Sequence, residues 1–173
     1  MDQPKRISFS ELKNWKECPH RHKLIHIDKL PYFEGNEFTA FGTAIHAVCE
    51  TTIPKQEEEP IKVFQDNFLK ELNILKDQGR VLNEELVADM RKQAIPICEQ
   101  VLPAVRQHFG EFEVVSVEEQ LLEFITEFDA NERHFKGFID MVIKTPDQKY
   151  HIIDWKTCSW GWSSAKKSDP MTT

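Results

Sequence analysis

The hydrophobic pattern of this chain changes its period at Gly110, and this change limits the folds available to it. Before Gly110, apolar residues recur at helical spacing. The clearest case is the segment 60–79, in which the apolar positions are Ile61, Phe64, Phe68, Leu72 and Leu75. After Gly110, apolar and polar residues alternate, as they do in half-buried strands. The sequence therefore predicts an α/β protein of the α+β kind, with helices followed by a mixed, largely antiparallel sheet.

Four helices are predicted before Gly110. The first has Ser8 as its N-cap and Glu11 completing a capping box, and it runs to about Cys18, where Pro19 interrupts it. The others are expected over residues 39–52, 60–79 and 84–109. In the last of these, the residues predicted to face inward are Leu86, Met90, Ile97, Val101, Val105 and Phe109.

Three strands are predicted after Gly110. The first begins near Val115, places Val115, Val117 and Glu119 on one face, and continues to about Phe128. The second covers 135–143 and the third 150–155, with turns between them. We expect a single domain over residues 1–173, with a helical part at 8–109, a sheet at 112–156 and a loop or tail at 157–173.

Composition excludes several classes of protein. The chain has 173 residues, a net charge of −7 and four widely spaced cysteines with no CxxC pair. No apolar run approaches the length that spans a membrane, and no signal peptide is visible, so we expect a cytoplasmic protein with reduced thiols and no membrane partner. The negative charge argues against general coating of nucleic acid.

A local cationic region remains possible on this composition, because residues 1–29 hold seven Lys and Arg against four acids. Four residues from this region are candidates for nucleic-acid contact: Lys13, Lys16, Arg21 and Lys23. Trp160 and Trp162 flank Gly161 near the end of the chain. Either they stack on bases or they pack against another segment, and the sequence favours neither alternative.

Two apolar runs that each end in a carboxylate, in the second and third predicted strands, carry the residues with the clearest chemistry. Asp140 ends an apolar run, and Ile152-Ile153 leads into Asp154-Trp155-Lys156. Because side chains alternate along a strand, Asp154 and Lys156 are expected on one side and Trp155 on the other, in the core. Two carboxylates beside an ammonium group suit a divalent cation next to a scissile phosphate. The ordinary alternative is a solvated ion pair at a strand end.

Two further residues are candidate metal ligands. His46 lies on an apolar helix whose Gly42 and Ala44 allow close approach to a sheet, which permits an inward ligand. Glu119 shares its predicted face with Val115 and Val117, an unusual place for an acid unless it is paired or ligating. Its neighbour Glu118 is expected to point the other way, into solvent.

A group of Cys18, His20, His22 and His26 has the composition of a zinc site but not its spacing. Arg21 and Lys23 interleave with these residues, and no common closed tetrahedral site has this pattern. We interpret the segment as a solvated basic turn.

In combination, these pieces resemble the PD-(D/E)XK nuclease superfamily, and within it the RecB-like branch that includes lambda-type exonucleases. The ordered elements are Gly42-x-x-x-His46, an acid on the first strand, Gly137-x-x-Asp140 and Asp154-x-Lys156. The opening Ser8-x-Ser10-x-Leu12 with Cys18-Pro19 is also similar to the N-terminal signature of that branch. The likeness extends from Ser8 to Lys156.

The resemblance implies a restriction-endonuclease-like fold and a role for each matching residue. His46, Asp140, Asp154 and the backbone carbonyl of Trp155 would bind Mg²⁺ or Mn²⁺. Lys156 would orient or activate the attacking water, or stabilise charge on the phosphate, so that Lys156, Asp154 and Asp140 form the catalytic set. Glu119 matches a less uniform acidic position and is a tentative ligand. The implied substrate is DNA, single-stranded or at duplex ends.

The chain departs from that branch in two ways. Its members follow Asp-x-Lys with a helix bearing Gln-x-x-x-Tyr, so a C-terminal truncation is expected. Those with an iron–sulfur cluster have three cysteines beyond the catalytic strand, where this sequence has only Cys158, so no cluster is expected. The resulting hypothesis is a metal-dependent exonuclease of recombination, repair or phage DNA processing. The alternative is a catalytically silent module that acts in DNA binding or assembly.

Overall fold

A computed structural model describes residues 6–30, 35–55, 59–124, 134–158 and 163–164. The chain divides into two compact units. The first unit comprises Met1–Glu34, Gln120–Phe138 and Cys158–Thr173, and the second comprises Gly35–Glu119 and Ile139–Thr157.

Helices precede most of the sheet in the described residues. The helices are α1 (Phe9–Glu17), α2 (Pro19–His22), a π-helical turn (Lys23–Ile27), α3 (Glu37–Lys55), α4 (Pro60–Asp77) and α5 (Glu84–Phe109). The strands are β1 (Arg6–Ser8), β2 (Glu113–Phe124), β3 (His134–Lys144) and β4 (Tyr150–Ile153). This arrangement confirms the predicted α+β class.

Local signals in the sequence set the ends of the helices. Ser8 caps α1, with its Oγ accepting a hydrogen bond from the backbone N–H of Glu11 at 3.2 Å. Asn83 caps α5 in the same way through the N–H of Leu86, at 3.0 Å. Gly110 ends α5 with a φ of 72°, a conformation that glycine adopts without steric strain.

The sheet is mixed because β1 pairs in parallel with one end of β3. The register joins Ile7 to Phe135. At the other end of β3, β4 pairs antiparallel and joins Val142 to Ile152. β2 is the remaining neighbour of β3. The three-residue strand β1 was not predicted, because so short a segment shows no measurable alternation.

The core of the second unit lies among α3, α4, α5 and the sheet. Phe64 and Phe68 of α4 stack at 5.1 Å between ring centroids, and Phe41 of α3 meets both rings edge-on. On α5, Cys98 is buried and Ile97 is 39% exposed. The inward assignment of Ile97 was therefore wrong, because the buried stripe passes through Ala94, Cys98 and Val101 instead.

The predicted inner face of β2 is also corrected. Val115 is 48% exposed, whereas Phe112, Val114 and Val117 pack against the core. The alternation breaks near Ser116 and Val117, which are both partly buried. β2 is described as far as Phe124, so the predicted continuation to Phe128 lies outside the described residues. Within the described part of the chain, no helix is long and apolar enough to cross a membrane.

Candidate metal centre

His46 is carried by a helix that approaches the segment after β4 closely. At Gly42, one turn before His46, an added Cβ would lie 3.2 Å from the Oγ1 of Thr157. Such a distance is tighter than an ordinary van der Waals contact, so glycine at this position permits the approach. Ala44 is fully buried on the same helix. The predicted use of small residues to bring α3 near the sheet therefore has a direct structural counterpart.

Asp140 is the best-held carboxylate near His46. Its Oδ2 accepts a hydrogen bond from the backbone N–H of Trp155 at 2.7 Å and lies 3.6 Å from the Nδ1 of His46. The side chain of Asp140 is only 12% exposed. The Asp140 carboxylate therefore lies between α3 and the segment after β4, and the backbone N–H of Trp155 sets its orientation.

Two glutamates complete a cluster around His46. Glu50 lies one helical turn after His46 on α3, and its Oε1 is 4.0 Å from the Nδ1 of His46. Glu118 joins them from β2, so that one ligand atom from each of the three side chains lies within 4.8 Å of the others. Among the described residues this is the one group of three metal-ligating side chains that meets so closely.

The backbone explains why Glu118 and not Glu119 joins the cluster. Glu118 has a φ of 50°, in the left-handed region that a non-glycine residue adopts at some energetic expense. This conformation interrupts the alternation of β2. Glu119 is exposed and is not a member of the group. The acid that β2 contributes to this group is Glu118, whereas the predicted ligand Glu119 is not a member of it.

Sequence reasoning missed Glu50. It treated Glu118 as solvated, and Glu118 is indeed exposed, but its approach to His46 and Glu50 was not expected. A signal for Glu50 exists, because His46 and Glu50 are separated by four residues and so share one helix face. No comparable signal marks Glu118, since its position depends on a local distortion of the strand.

The cluster concentrates negative charge in a partly buried place. The pKa of Glu50 is raised to about 7 by burial, and then by the charge of Glu118, a hydrogen bond with Glu118 and the charge of Asp140. Carboxylate oxygens and one imidazole form a donor set that suits a divalent cation, Mn²⁺ in particular. A bound cation would also offset the repulsion among these carboxylates.

Asp154 and Lys156 form a separate feature on the segment after β4. The Nζ of Lys156 donates to the Oδ1 of Asp154 at 2.5 Å, and their side chains are 48% and 57% exposed, respectively. The pair shares one side of the segment, as expected, and Trp155 packs against the core. Neither Asp154 nor Lys156 belongs to the group formed by His46 and the two glutamates among the described residues.

The candidates for nucleic-acid contact are distributed over the first unit. Lys13 and Arg21 lie 4.0 Å and 3.6 Å from the carboxylate of Glu17, and Lys23 donates to Asp28. Lys16 is exposed. Trp160 and Trp162 lie outside the described residues.

Two of the histidines near Cys18 contact other side chains. His22 contacts Glu11 at 3.1 Å, and the Nε2 of His26 lies 3.0 Å from the Nδ2 of Asn14. Cys18 is exposed, and its Sγ accepts the backbone N–H of Arg21 at 3.5 Å. The segment is helical rather than a turn, because α2 and the π-helical turn cover it, and His22 and His26 are partly buried. The prediction of a solvated basic turn was therefore wrong in its conformation.

Comparison with known proteins identifies the family but no individual relative. No curated protein matches the chain significantly. A family model described as the PD-(D/E)XK nuclease superfamily matches residues 6–169, which include α1, the helix α3 that carries His46, and all four strands of the described residues. The match confirms the resemblance at the level of the superfamily, and the α+β fold is consistent with a restriction-endonuclease-like architecture. The chain belongs to the PD-(D/E)XK nuclease superfamily.

Proposed function

We propose that this protein is a metal-dependent nuclease that hydrolyses phosphodiester bonds of DNA, in the manner of the RecB-like branch. The observation that carries the proposal is the position of Asp140, held by the N–H of Trp155 at 2.7 Å and facing His46 at 3.6 Å. Action as an exonuclease in recombination, repair or phage DNA processing is part of the proposal. The free thiols of the described cysteines agree with the cytoplasmic location that we propose for it.

His46, Asp140, Glu50 and Glu118 are the residues that we expect to hold Mg²⁺ or Mn²⁺. We extend the set to Asp154 and the carbonyl of Trp155, as the family motif implies, and keep Glu119 only as a tentative ligand. When bound, the cation lowers the pKa of a coordinated water and screens the charge of the phosphate. The pKa of Glu50, which burial and the charges of Glu118 and Asp140 raise to about 7, supports this assignment, because a bound cation would offset the unfavourable interactions of this carboxylate.

The remaining chemistry comes from side chains of this chain. The backbone N–H of Trp155 fixes the direction of the Asp140 carboxylate, so the ligand does not need to be ordered on binding. Lys156 is a half-exposed ammonium beside Asp154. It is able to donate a hydrogen bond to a phosphate oxygen and to stabilise the charge that develops there.

The test measures degradation of end-labelled linear DNA by the purified chain with Mn²⁺ or Mg²⁺. We expect Asp140→Asn and Lys156→Ala to lower the rate by about 100-fold or more, in the range seen when a charge-stabilising group is removed. Asn keeps the oxygen that accepts the N–H of Trp155, so Asp140→Asn removes the charge with little change in structure. Asp89 and Lys92 form an exposed ion pair on α5 at 3.1 Å. Asp89→Ala and Lys92→Ala are matched controls, because this pair resembles the exposed pair of Asp154 and Lys156 that follows β4.

Calorimetric titration with Mn²⁺ distinguishes the nuclease from a catalytically silent module. A nuclease should bind Mn²⁺ with a loss of affinity in Asp140→Asn, and it should cut DNA in the same buffer. The proposal would be contradicted if the wild type, Asp140→Asn and Lys156→Ala all cleaved DNA at the same rate. Absent Mn²⁺ binding together with DNA binding would instead support the silent module.

A further inference from the structure

The outward face of α1 combines aromatic, apolar and basic side chains. Phe9 lies three and four residues before Leu12 and Lys13, and Lys16 lies four and three residues after them, which places all four along one side of the helix. Trp15 borders this side, three residues after Leu12. The fractional exposures of Phe9, Leu12 and Trp15 are 46%, 42% and 54%. We call these five residues the α1 platform.

The opposite side of α1 carries two side chains that hydrogen-bond to the segment that follows the helix. Glu11 bonds to His22 at 3.1 Å, and Asn14 bonds to His26 at 3.0 Å. The rings of His22 and His26 stack with their centroids 5.2 Å apart. These bonds therefore attach α1, through its polar side, to the end of α2 and to the π-helical turn. Throughout this fully described helix, no residue is buried.

This arrangement reverses the usual orientation of an amphipathic helix. Scattered exposed apolar residues are common on protein surfaces, but a contiguous group that includes a tryptophan and a phenylalanine marks an interaction site. Two lysines lie within the same face. Lys13 pairs with Glu17 only at 4.0 Å, and such an exposed pair is weak and easily exchanged.

Charge indicates what kind of partner fits the α1 platform. Residues 6–30 contain six Lys and Arg against three acids, whereas the whole chain has a net charge of −7. The basic excess therefore lies on the segment that also exposes its aromatic rings. Rings that alternate with cations suit a strand of nucleotides, because bases stack on the rings while phosphates contact the ammonium groups.

We propose that the α1 platform binds single-stranded DNA, with Trp15 as the main stacking residue and Lys16 as the main phosphate contact. Single-stranded rather than duplex DNA fits, because the faces of paired bases are already stacked on their neighbours. The choice of DNA rests on the proposed function. The binding itself does not require the metal centre, since every residue of the α1 platform belongs to the first unit.

The experiment measures fluorescence anisotropy of a dye-labelled oligothymidylate of 20 nucleotides titrated with the full chain in EDTA. Without a metal the DNA stays intact, so binding is scored independently of nuclease activity. We expect Trp15→Ala with Lys16→Ala to weaken binding by about tenfold or more, as loss of one base stack and one phosphate contact predicts. Trp15→Phe should recover most of the affinity, because it keeps an aromatic face.

Leu69 and Lys70 on α4 provide the matched control. They are also an exposed apolar residue next to an exposed lysine on a helix. Leu69→Ala with Lys70→Ala should bind as the wild type does. Lys16→Ala alone should reduce the slope of log affinity against log salt by about 0.7, the value for one phosphate on a single strand.

Three results would overturn the proposal. One is equal affinity in the wild type and in the Trp15/Lys16 double variant, with helix content checked by circular dichroism. Another is an equal loss in the Leu69/Lys70 control. The third is no binding of the oligonucleotide by the wild type, which would leave the α1 platform as a surface for a protein. Asp140→Asn should bind the oligonucleotide normally even if it shows no nuclease activity, and this separates the inference from the proposed function.

Discussion

The helices α1 and α3 show how differently the two units use the same helical pattern. α3 buries seven residues, including Ala44, Val48 and Ile53, and packs within the core of the second unit. α1 buries none and is attached by hydrogen bonds from Glu11 and Asn14. Both helices have apolar residues at helical spacing. The comparison teaches that such spacing identifies a helix, whereas contacts elsewhere decide whether its apolar face is buried or exposed.

Charged groups differ between the two units in a related way. Pairs of opposite charge occur in both units, as in Lys23 with Asp28 of the first and Lys92 with Asp89 of the second. In the second unit, Glu50 and Glu118 meet each other, and the pKa of Glu50 rises to about 7 mainly through burial. Exposed pairs of opposite charge contribute little to stability, but like charges in a partly buried cluster destabilise the fold. Such a cluster is therefore a sign of function.

The largest expected effect compares one large side chain from each unit. Phe68→Ala removes a ring that is 1% exposed and stacked on Phe64, so we expect it to lower the free energy of unfolding by about 3–5 kcal/mol. Leu12→Ala on α1 should change it by less than about 0.5 kcal/mol, as surface substitutions generally do. Urea denaturation followed by circular dichroism measures both. Equal losses would show that the face of α1 is covered in solution.

The next effect concerns the reactivity of the four thiols. Burial raises the pKa of Cys49 to about 12, with a further contribution from the charge of Glu50, and burial raises the pKa of Cys98 to about 11. Cys18 and Cys158 are exposed. Because the thiolate is the reactive form, we expect a disulfide reagent at pH 8 to modify the exposed pair at least about 100-fold faster.

Mass spectrometry of the labelled peptides assigns each rate to a residue. Rapid labelling of Cys49 in the native protein would contradict the burial of α3. Labelling of all four thiols at one rate after addition of urea is the control for reagent access.

Much of the fold was predictable because local signals define it. The Ser8 cap, the Asn83 cap and Gly110 set helix ends within a few residues, and the apolar pattern of α4 matches its buried residues. β1 was not predictable, since its pairing with β3 joins residues more than 120 positions apart in sequence. Ile97 was assigned inward because the buried stripe of a long helix shifts with each turn.

The candidate site was less predictable than the fold. Motif spacing identified Asp140 and His46, and the structure brings them together at 3.6 Å. Glu118 depends on a positive φ, and no local pattern in the sequence encodes that conformation. The proposed roles of Asp154 and Lys156 still rest on the family motif. The ordinary alternative, a solvated ion pair at a strand end, would show the same exposed contact between Asp154 and Lys156.

A smaller effect follows from the crowded carboxylates of the second unit. The folded pKa of Glu50 lies above its ordinary value, so the stability that it contributes is present below about pH 4.5 and is lost as pH rises through about 7. In EDTA at pH 8, Glu50→Gln should therefore raise the free energy of unfolding. We expect a gain on the order of 1 kcal/mol, because solvent screens a partly exposed group. The gain should shrink as the pH falls toward 5.

The same substitution should weaken Mn²⁺ binding, since it removes a ligand charge. Thermal melts with and without Mn²⁺ measure both consequences on one sample. Glu99, which is exposed on α5, provides the control through Glu99→Gln. A variant that is less stable than the wild type at pH 8 in EDTA would show that Glu50 is not under electrostatic strain.

The smallest expected effect compares two helix caps of similar geometry. Ser8 and Asn83 accept backbone hydrogen bonds at 3.2 Å and 3.0 Å, so each should contribute about 1 kcal/mol to its own helix. Asn83→Ala should lower the free energy of unfolding by that amount, because α5 is packed in the core. Ser8→Ala should instead leave it almost unchanged and raise amide exchange within α1 about fivefold, since an unburied helix opens locally. Hydrogen exchange read by mass spectrometry separates the two outcomes. If both variants lowered global stability equally, α1 would have to unfold together with the second unit, and the contrast between the two helices would be lost.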